Sequence, residues 1–276
     1  MGSDVSHDEV ARRLRRRTID MLWRAQAGHP GGSLSAAEIL TVLYFGAMRI
    51  DPTRPDWADR DRFVLSKGHA APIYYATLAE RGYFSPELLT TYDELDSMLQ
   101  AHPFVGLPGI DTCSGSLGQG LSVGIGMALG ARLKGSEARV FVLLGDGELQ
   151  EGQVWEAAMA ASSFGLDSLT AIVDANRLQL YGTVESIVSL EPLPDKWRAF
   201  GWNVLEVDGH DCAALAAALC AAAAPEITGR PTVIIAHTTK GKGVSFMENS
   251  VEWHSAAVTD ELRERALAEL VSGAAS

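Results

Sequence analysis

The stretch ARVFVLLGDGELQEGQVWEAAMAASSFGLDSLTAIVDAN, residues 138–176, decides the fold of this chain. It begins with a continuous apolar run at 138–144, passes through helical spacing at 153–164 and ends on a second apolar run at 169–175. Apolar strands separated by a helix are typical of parallel strands that are buried on both faces. The same cycle repeats at residues 202–207, 212–224 and 231–237. The sequence therefore predicts an α/β fold with a mostly parallel central sheet and helices on both faces.

The residues before this stretch favour helices. Ser6 with Glu9, and Ser35 with Glu38, have the spacing of a capping box, in which the Ser oxygen and the Glu carboxylate satisfy backbone groups at a helix start. Ser85 precedes a proline, which is favoured at the first position of a helix. We expect a helical N-terminal part ahead of the strands.

Length and composition favour one soluble globular domain spanning 1–276. The chain has 276 residues, of which 47% are hydrophobic and 21% charged. No apolar run approaches the roughly 18 to 20 residues of a membrane span, and no targeting signature opens the chain. We expect a cytoplasmic protein with no membrane partner.

Charge and cysteine content exclude further classes. The net charge of −12 argues against binding a nucleic-acid backbone, since that affinity comes from Lys and Arg. Five arginines between residues 12 and 17 form the one basic patch, for which we favour a solvated helix face. The three cysteines form no CxxC pair, so neither a zinc ribbon nor a disulfide framework is indicated.

A candidate metal site lies where two predicted strands end. Asp146 follows the first apolar run and Asn176 follows the second, one helical crossover later. Carboxyl ends of parallel strands meet at one edge of a sheet, so the two loops are expected to be neighbours. Carboxylate and amide oxygens suit magnesium, and Gly145 and Gly147 would let a diphosphate approach the backbone. Taken alone, the GDG triplet could equally be a polar turn.

The glycine-rich segment 115–130 raises the alternative of a dinucleotide site. GSLGQG and GIGMALG come close to G-x-G-x-x-G without matching it, and the residues before them do not form a strand pattern. A nicotinamide-dependent Rossmann enzyme is therefore disfavoured. GIGMALG is explained by close packing at a helix start, whereas GSLGQG resembles a loop that contacts a ligand.

Four histidines lie among small residues or in turns: His29, His69, His102 and His254. One histidine in such a context is more often a packed or capping residue than a catalytic group. Four together indicate a polar pocket in which imidazoles donate, accept and transfer protons. His7, His210 and His237 are assigned no such role.

The motifs GHPGG, DRFVLSKGHA, AHP, GSLGQGLS, LLGDGELQEGQVWEA, VDANRLQLYG, VDGHD and TTKGKGVSFMEN occur in this order. Together they closely resemble the thiamine diphosphate-binding half of transketolases, over about residues 10–265. SKGHA and GSLGQG separate the chain from 2-oxo acid dehydrogenases and decarboxylases. The resemblance implies the thiamine diphosphate-binding fold, and within it the domain that binds the diphosphate.

The resemblance also implies roles for single residues. Asp146, Asn176 and the backbone carbonyl of Leu178 would hold a magnesium or calcium ion on the cofactor diphosphate. His69 and His254 would lie near the diphosphate or the reacting centre.

Further cofactor contacts are implied in the loops. Gly115 and Leu117 would present backbone groups to the aminopyrimidine, and Gly147 and Glu148 would present backbone groups to the diphosphate. For Glu148, a helix N-terminal acid favoured by the helix dipole is an equal alternative.

The remaining implied residues concern substrate and interface. His29 and His102 would contact the donor ketose and its two-carbon fragment. Glu151 and Glu156 match carboxylates that link the cofactor site to a hydrogen-bonded network near the subunit interface.

The implied activity is transfer of a two-carbon ketol unit from a ketose phosphate to an aldose phosphate. The domain that binds the aminopyrimidine and supplies the activating glutamate has no counterpart here, so we expect the N-terminal subunit of a split transketolase. A C-terminal transketolase subunit would complete an α2β2 heterotetramer. EWHS and Cys113-Ser114 depart from the family pattern. Two alternatives remain open: a non-catalytic cofactor-binding scaffold and a transketolase-like acyloin-forming subunit.

Overall fold

The computed structural model of the chain describes residues 5–224 and 229–272. The expected domain at 1–276 therefore extends beyond the described residues at 1–4, 225–228 and 273–276. Within the described part, no helix is long and apolar enough to cross a membrane.

The described strands form one central sheet and one small hairpin. The sheet contains β1 (Arg62–Leu65), β2 (Val140–Gly145), β3 (Leu169–Ala175), β6 (Asn203–Asp208) and β7 (Thr232–His237). These five strands are parallel, in the order β1-β2-β3-β7-β6. The hairpin pairs β4 (Leu178–Gln179) with β5 (Gly182–Thr183). The predicted parallel sheet is confirmed.

The helices in the described residues are α1 (His7–Ala25), α2 (Pro30–Ser35), α3 (Ala37–Val42), α4 (Ala71–Arg81), α5 (Gly120–Leu133), α6 (Gly152–Ser163), α7 (Val184–Ile187), α8 (Leu193–Ala199), α9 (Cys212–Ala222) and α10 (Asp260–Ser272). A π-helical turn, Leu43–Ala47, extends α3. Short 3₁₀ turns occupy Gly68–Ala70, Pro86–Thr91, Gly147–Gln150 and Glu252–His254.

Successive strand residues enter two separate hydrophobic cores. Phe141 and Leu143 pack with residues of α1, α3, α4 and α9 on one face. Val142 and Leu144 pack with residues of α5, α6 and α8 on the other. Side chains alternate across a strand, so a strand covered on both faces needs an apolar residue at every position. This explains the continuous apolar runs.

Strand β1 was not predicted. Its four residues, Arg62–Leu65, lie between charged and small residues, and the first third of the chain has helical spacing. The strand exists because it pairs in parallel with β2, from Arg62 with Val140 to Leu65 with Leu143. A run this short carries too little periodicity to be recognised locally.

Of the three helix starts expected from the sequence, one is confirmed, one begins a 3₁₀ turn and one is wrong. Ser6 caps α1 by accepting from the Glu9 amide at 3.3 Å, as predicted. Ser85 precedes a 3₁₀ turn, and its side chain makes no capping bond. The prediction of a capping box at Ser35 and Glu38 is wrong. Ser35 Oγ instead donates to Asp174 Oδ2 at 2.6 Å, and Glu38 pairs with Arg15.

The arginine patch is only partly a solvated helix face. Arg16 is exposed, but Arg15 is 4% exposed and its guanidinium forms a bidentate ion pair with Glu38. Arg13 and Arg17 both pair with Glu80 on α4. Glu38 and Glu80 lie on other helices, so the sequence around the arginines does not show that these ion pairs form.

Candidate active site

Polar side chains follow four strands at the carboxyl edge of the sheet. Lys67 follows β1, Asp146 follows β2, Asn176 follows β3, and Lys240 comes shortly after β7. The register pairs Gly145 with Asp174, so Asp146 and Asn176 leave neighbouring strands at the same level. The sheet therefore gathers two acceptors and two cations around one crevice, as is typical of parallel sheets.

Asp146 is a buried carboxylate held by backbone amides. Its Oδ1 accepts from the Gly147 amide at 2.8 Å, and its Oδ2 accepts from the Arg177 amide. Burial and the nearby Asp174 raise the pKa of Asp146 to about 6. Each carboxylate oxygen keeps a second lone pair, so the group can still coordinate a cation.

Two further oxygen acceptors lie on the loop after β3. The Asn176 side-chain oxygen accepts from the Leu178 amide at 3.1 Å, which fixes the side chain in an Asx turn. The Leu178 carbonyl accepts from Lys240 Nζ at 3.3 Å. Carboxylate, amide and carbonyl oxygens form the ligand set that magnesium and calcium use.

Glu148 joins three segments through its side chain. Its Oε1 accepts from the Gly118 amide at 2.8 Å and from the Ser66 hydroxyl, and its Oε2 accepts from the Gly145 amide at 3.0 Å. The residue is buried, and burial raises its pKa. Its carboxylate thus secures the glycine-rich loop and Ser66, the residue after β1, against the end of β2.

A second acid, Asp174, is fully buried behind the crevice. It forms an ion pair with Lys67 and also accepts from the hydroxyls of Ser35 and Thr238. Although burial opposes ionisation, the Lys67 ammonium holds the pKa of Asp174 below its ordinary value. Lys67 Nζ also donates to the Gly32 carbonyl at 2.8 Å, which ties α2 to the sheet.

Three of the four candidate histidines form one cluster. The ring centroids of His29 and His69 lie 5.3 Å apart, those of His29 and His254 5.6 Å, and those of His69 and His254 5.3 Å. His254 Nδ1 lies 2.8 Å from Lys240 Nζ. His29 Nδ1 is buried and has no hydrogen-bond partner in the described part of the chain.

The cluster is electrically neutral at physiological pH. Burial and Lys240 lower the pKa of His254 to about 3. Burial with His102 lowers the pKa of His29, and burial with Lys67 lowers the pKa of His69 well below its ordinary value. Burial and Lys67 lower the pKa of Lys240 to about 8. A neutral imidazole can both donate and accept a hydrogen bond.

A cavity of about 190 Å³ occupies the crevice. Its lining comprises Gly32, Lys67, His69, Leu117, Gly145, Asp146, Gly147, Glu148, Asn176, Leu178, Gln179, Leu180, Lys240 and His254. A Cβ on Gly32 would lie 3.3 Å from His69 Nε2, and one on Gly147 would lie 3.0 Å from Gln179 Cβ. A side chain at either glycine would therefore push against a residue that lines the cavity.

The predicted residues divide between this cavity and its surroundings. His69, Leu117, Asp146, Gly147, Glu148, Asn176, Leu178 and His254 all line it. His29 borders it through the histidine cluster, and His102 lies beside Gly115, whose Cβ would be 3.8 Å from the ring. Glu151 and Glu156 are exposed and do not line it.

Two lysines of the crevice, Lys67 and Lys240, were not among the predicted site residues. Lys67 is the second residue after β1, the strand that was missed, and Lys240 lies in the TTKGKG loop after β7. An additional signal was Asp174, an acid inside an apolar strand, since a buried carboxylate requires a partner.

The crevice holds the types of polar group that a diphosphate and a metal ion would need. The oxygens of Asp146, Asn176 and Leu178 can coordinate a cation, and the Lys240 ammonium can pair with phosphate oxygens. Residues 5–224 and 229–272 contain no group of three or more His, Cys, Asp or Glu side chains placed to hold a metal. The candidate site is not such a group, because two of its three oxygens come from the Asn176 side-chain amide and the Leu178 backbone carbonyl.

Sequence comparison places the chain among known proteins. Residues 6–268 match the family described as "Transketolase, thiamine diphosphate binding domain". One relative, an apulose-4-phosphate transketolase subunit of Phocaeicola vulgatus, is 44% identical over 256 residues, covering 93% of this chain and 90% of that protein. The 6-deoxy-6-sulfo-D-fructose transketolase subunit SqwG of a Clostridium species is 44% identical over 268 residues, covering 97% and 96%.

Longer transketolases match over part of their length. Human transketolase is 40% identical over 265 residues, which are 96% of this chain and 42% of that protein. The crystal structure of transketolase from Campylobacter jejuni superposes with a TM-score of 0.90 at 32% identity, covering 98% of this chain and 43% of that one. The chain thus spans less than half of these proteins.

The family match, the fold and the polar groups of the crevice are consistent with one family. The matched region covers nearly all of the chain, and the parallel sheet with its helical layers superposes on solved transketolases. The relatives matched over almost their whole lengths carry names of transketolase subunits. The chain therefore belongs to the transketolase family, as its thiamine diphosphate-binding part.

Proposed function

We propose that this chain is the N-terminal, cofactor-binding subunit of a two-subunit transketolase. Together with a C-terminal partner subunit, it would transfer a two-carbon ketol unit from a ketose to an aldose. The observation that carries this proposal is the cavity at the strand ends, where Asp146, Asn176 and Leu178 offer oxygens beside Lys240 and His254. The names of the relatives support the same activity.

In this proposal Asp146, Asn176 and the Leu178 carbonyl would hold a magnesium or calcium ion on the cofactor diphosphate. Gly147 and Glu148 would offer backbone groups to the diphosphate. Gly115 and Leu117 would offer backbone groups to the aminopyrimidine.

Bound thiamine diphosphate supplies an electron sink for the carbanion released when a carbon–carbon bond beside a carbonyl is cleaved. The histidines manage hydrogen bonds around that carbonyl. Because the Lys240 ammonium can only donate, His254 Nδ1 accepts, and the neutral ring carries its proton on Nε2. His254 Nε2–H can then stabilise a developing alkoxide. His29 and His102 would contact the donor ketose.

A partner chain is expected to supply the remaining parts of each site. The relatives of similar length are named as subunits, and the chain covers less than half of human transketolase. We propose an α2β2 heterotetramer, with Glu151 and Glu156 near the contact between subunits. Two relatives are named for a sugar phosphate and a sulfo sugar, so we expect sugar substrates with a terminal phosphate or sulfonate.

Calorimetric titration with thiamine diphosphate and magnesium tests the cofactor site. Asp146→Ala should abolish the magnesium-dependent part of binding, because the metal loses its only carboxylate ligand among the three proposed. Asp195→Ala, at an exposed helix position, serves as the control and should bind like the wild type. Unchanged affinity of the Asp146 variant would refute the assignment.

Reconstitution tests the two-subunit arrangement. The purified chain alone should show almost no ketol transfer, and addition of a partner that carries the pyrimidine-binding domain should restore turnover. Strong activity of the isolated chain would contradict the proposal. Cofactor binding by the mixture without turnover would instead identify a non-catalytic scaffold.

A further inference from the structure

A buried polar relay runs from α1 to the loop that carries Lys240. Arg15 donates from Nη1 and Nη2 to the two oxygens of Glu38, each at 2.6 Å. Glu38 Oε2 lies 3.0 Å from His210 Nδ1, and the Thr239 amide donates to His210 Nε2 at 2.8 Å. Three side chains from separate parts of the sequence thus end on one backbone amide beside the cavity.

The hydrogen bonds fix the protonation pattern of this relay. A backbone amide can only donate, so His210 Nε2 accepts and Nδ1 carries the proton that is donated to Glu38. Burial opposes ionisation of Glu38, but Arg15 and His210 hold its pKa at about 2. The charged carboxylate is therefore oriented by the guanidinium fork, and it in turn orients the imidazole.

The relay also reaches α2, whose Gly32 lines the cavity. Arg15 Nε and Nη2 donate to the Leu34 carbonyl in α2 at 3.2 and 3.1 Å. The same helix contributes the Gly31 carbonyl, which accepts from the Gly241 amide at 3.0 Å. One guanidinium thus helps to hold α2 and, through His210, the loop 238–241.

The held loop positions Lys240. A lysine side chain loses rotamer freedom when it is fixed, so a fixed backbone makes its placement less costly. Thr238 N is bound to the Ala175 carbonyl at 3.3 Å and Gly241 N to Gly31. Between them, the Thr239 amide depends on the His210 side chain.

We propose that Arg15, Glu38 and His210 are positioning residues of the cofactor site, which fix the Thr239 amide so that Lys240 meets the diphosphate. The inference rests on the proposed function for its ligand, but the order of the loop can be measured without any ligand. None of the three side chains lines the cavity.

Hydrogen exchange of the cofactor-free chain tests the relay itself. His210→Phe retains a ring but no acceptor, and His210→Asn retains a donor towards Glu38 but does not reach Thr239. Both should accelerate exchange of the peptide 238–243 about tenfold or more, as expected for one lost buried hydrogen bond. His210→Gln, whose side-chain oxygen can replace Nε2, should remain near the wild-type rate.

Calorimetry with thiamine diphosphate and magnesium then tests the link to the site. His210→Phe and His210→Asn should each raise the dissociation constant about tenfold, whereas His210→Gln should keep it within about threefold of the wild-type value. His237→Phe is the matched control, since His237 is exposed at the end of β7, and should change neither measurement.

The inference is overturned if His210→Phe and His210→Asn keep wild-type exchange, or if His210→Gln is as damaging as they are. It is also overturned if loop exchange rises while cofactor affinity stays unchanged. Absence of cofactor binding by the wild-type chain mixed with its partner would instead remove the proposed function and leave the exchange result to decide the relay.

Discussion

Lys240 is a buried cation whose hydrogen bonds go to neutral acceptors. Its ammonium donates to the Leu178 carbonyl and contacts His254 Nδ1, and its pKa is lowered to about 8. Buried cations without a bound counter-charge destabilise the fold and favour binding of an anion. Lys240 is therefore expected to lower the stability of the cofactor-free protein and to raise its affinity for a diphosphate.

Lys240→Met should weaken thiamine diphosphate binding by tenfold to a hundredfold, about the value of a charge-assisted hydrogen bond. The cofactor-free variant should melt at the same or a higher temperature than the wild type. Calorimetry and thermal unfolding measure the two effects. Lys242→Met, at a half-exposed lysine with a long ion pair to Glu248, should change neither. Equal effects of the two variants would contradict the role of Lys240.

His254 makes stability depend on pH. Its pKa is about 3 in the folded chain and about 6.5 in the unfolded chain, so the unfolded state binds more protons between these values. The stabilising contribution is complete above pH 6.5 and is lost as the pH falls towards 3.

His254→Asn should reduce the stability loss between pH 7.5 and pH 5 by about 1 kcal/mol, after allowance for the partly solvated ring. Denaturant unfolding of the cofactor-free chain at both pH values measures this. If His254→Asn lost as much stability as the wild type between pH 7.5 and pH 5, a group other than His254 would be responsible for the loss.

At the scale of elements, α5 depends on one glycine for its contact with β1. A Cβ on Gly120 would collide with the side chain of Ser66 and lie 2.8 Å from its Cα, whereas a Cβ on Gly126 would meet no atom within 4 Å. Ser66 also donates to Glu148, so the contact joins the helix start to the carboxyl edge of the sheet.

Gly120→Ala should destabilise the chain by about 1 to 3 kcal/mol, because backbone must shift to admit the methyl group. Gly126→Ala, in the same helix, should stabilise it by about 0.5 to 1 kcal/mol through the entropy of the unfolded state. Chemical denaturation of the two variants gives the comparison. If Gly120→Ala were also stabilising, the close approach of α5 to β1 would be wrong.

At the scale of the whole molecule, two hydrophobic cores lie on the two faces of one sheet. Leu143 and Leu144 are both fully buried, yet they belong to different cores. A sheet with one solvated face would bury only one of two successive residues. Burial of both leucines therefore indicates a sheet that is covered by helices on both faces.

Leu143→Ala and Leu144→Ala should each cost about 2 to 5 kcal/mol of unfolding free energy. Leu95→Ala, at a side chain that is 93% exposed, should cost less than about 0.5 kcal/mol. Equilibrium unfolding in urea measures all three. A large loss for only one of the two buried leucines would indicate that one face of the sheet is open.

Local sequence patterns are enough to predict the parallel sheet and the main polar residues at its edge. Apolar runs buried on both faces are recognisable locally, and parallel strands bring their carboxyl ends together, which was sufficient to identify Asp146 and Asn176 as neighbours. The motifs added the family, which sequence comparison confirmed.

Which cations and imidazoles face these oxygens depends on tertiary packing and could not be predicted from local sequence. β1 is too short to be recognised without its partner β2, so Lys67 had no place in the predicted sheet. Glu38 has the spacing of a helix cap, but it binds Arg15 and His210, 23 and 172 residues away in the chain. Such contacts depend on how layers pack, because a buried charge takes the nearest partner in space rather than the nearest in sequence.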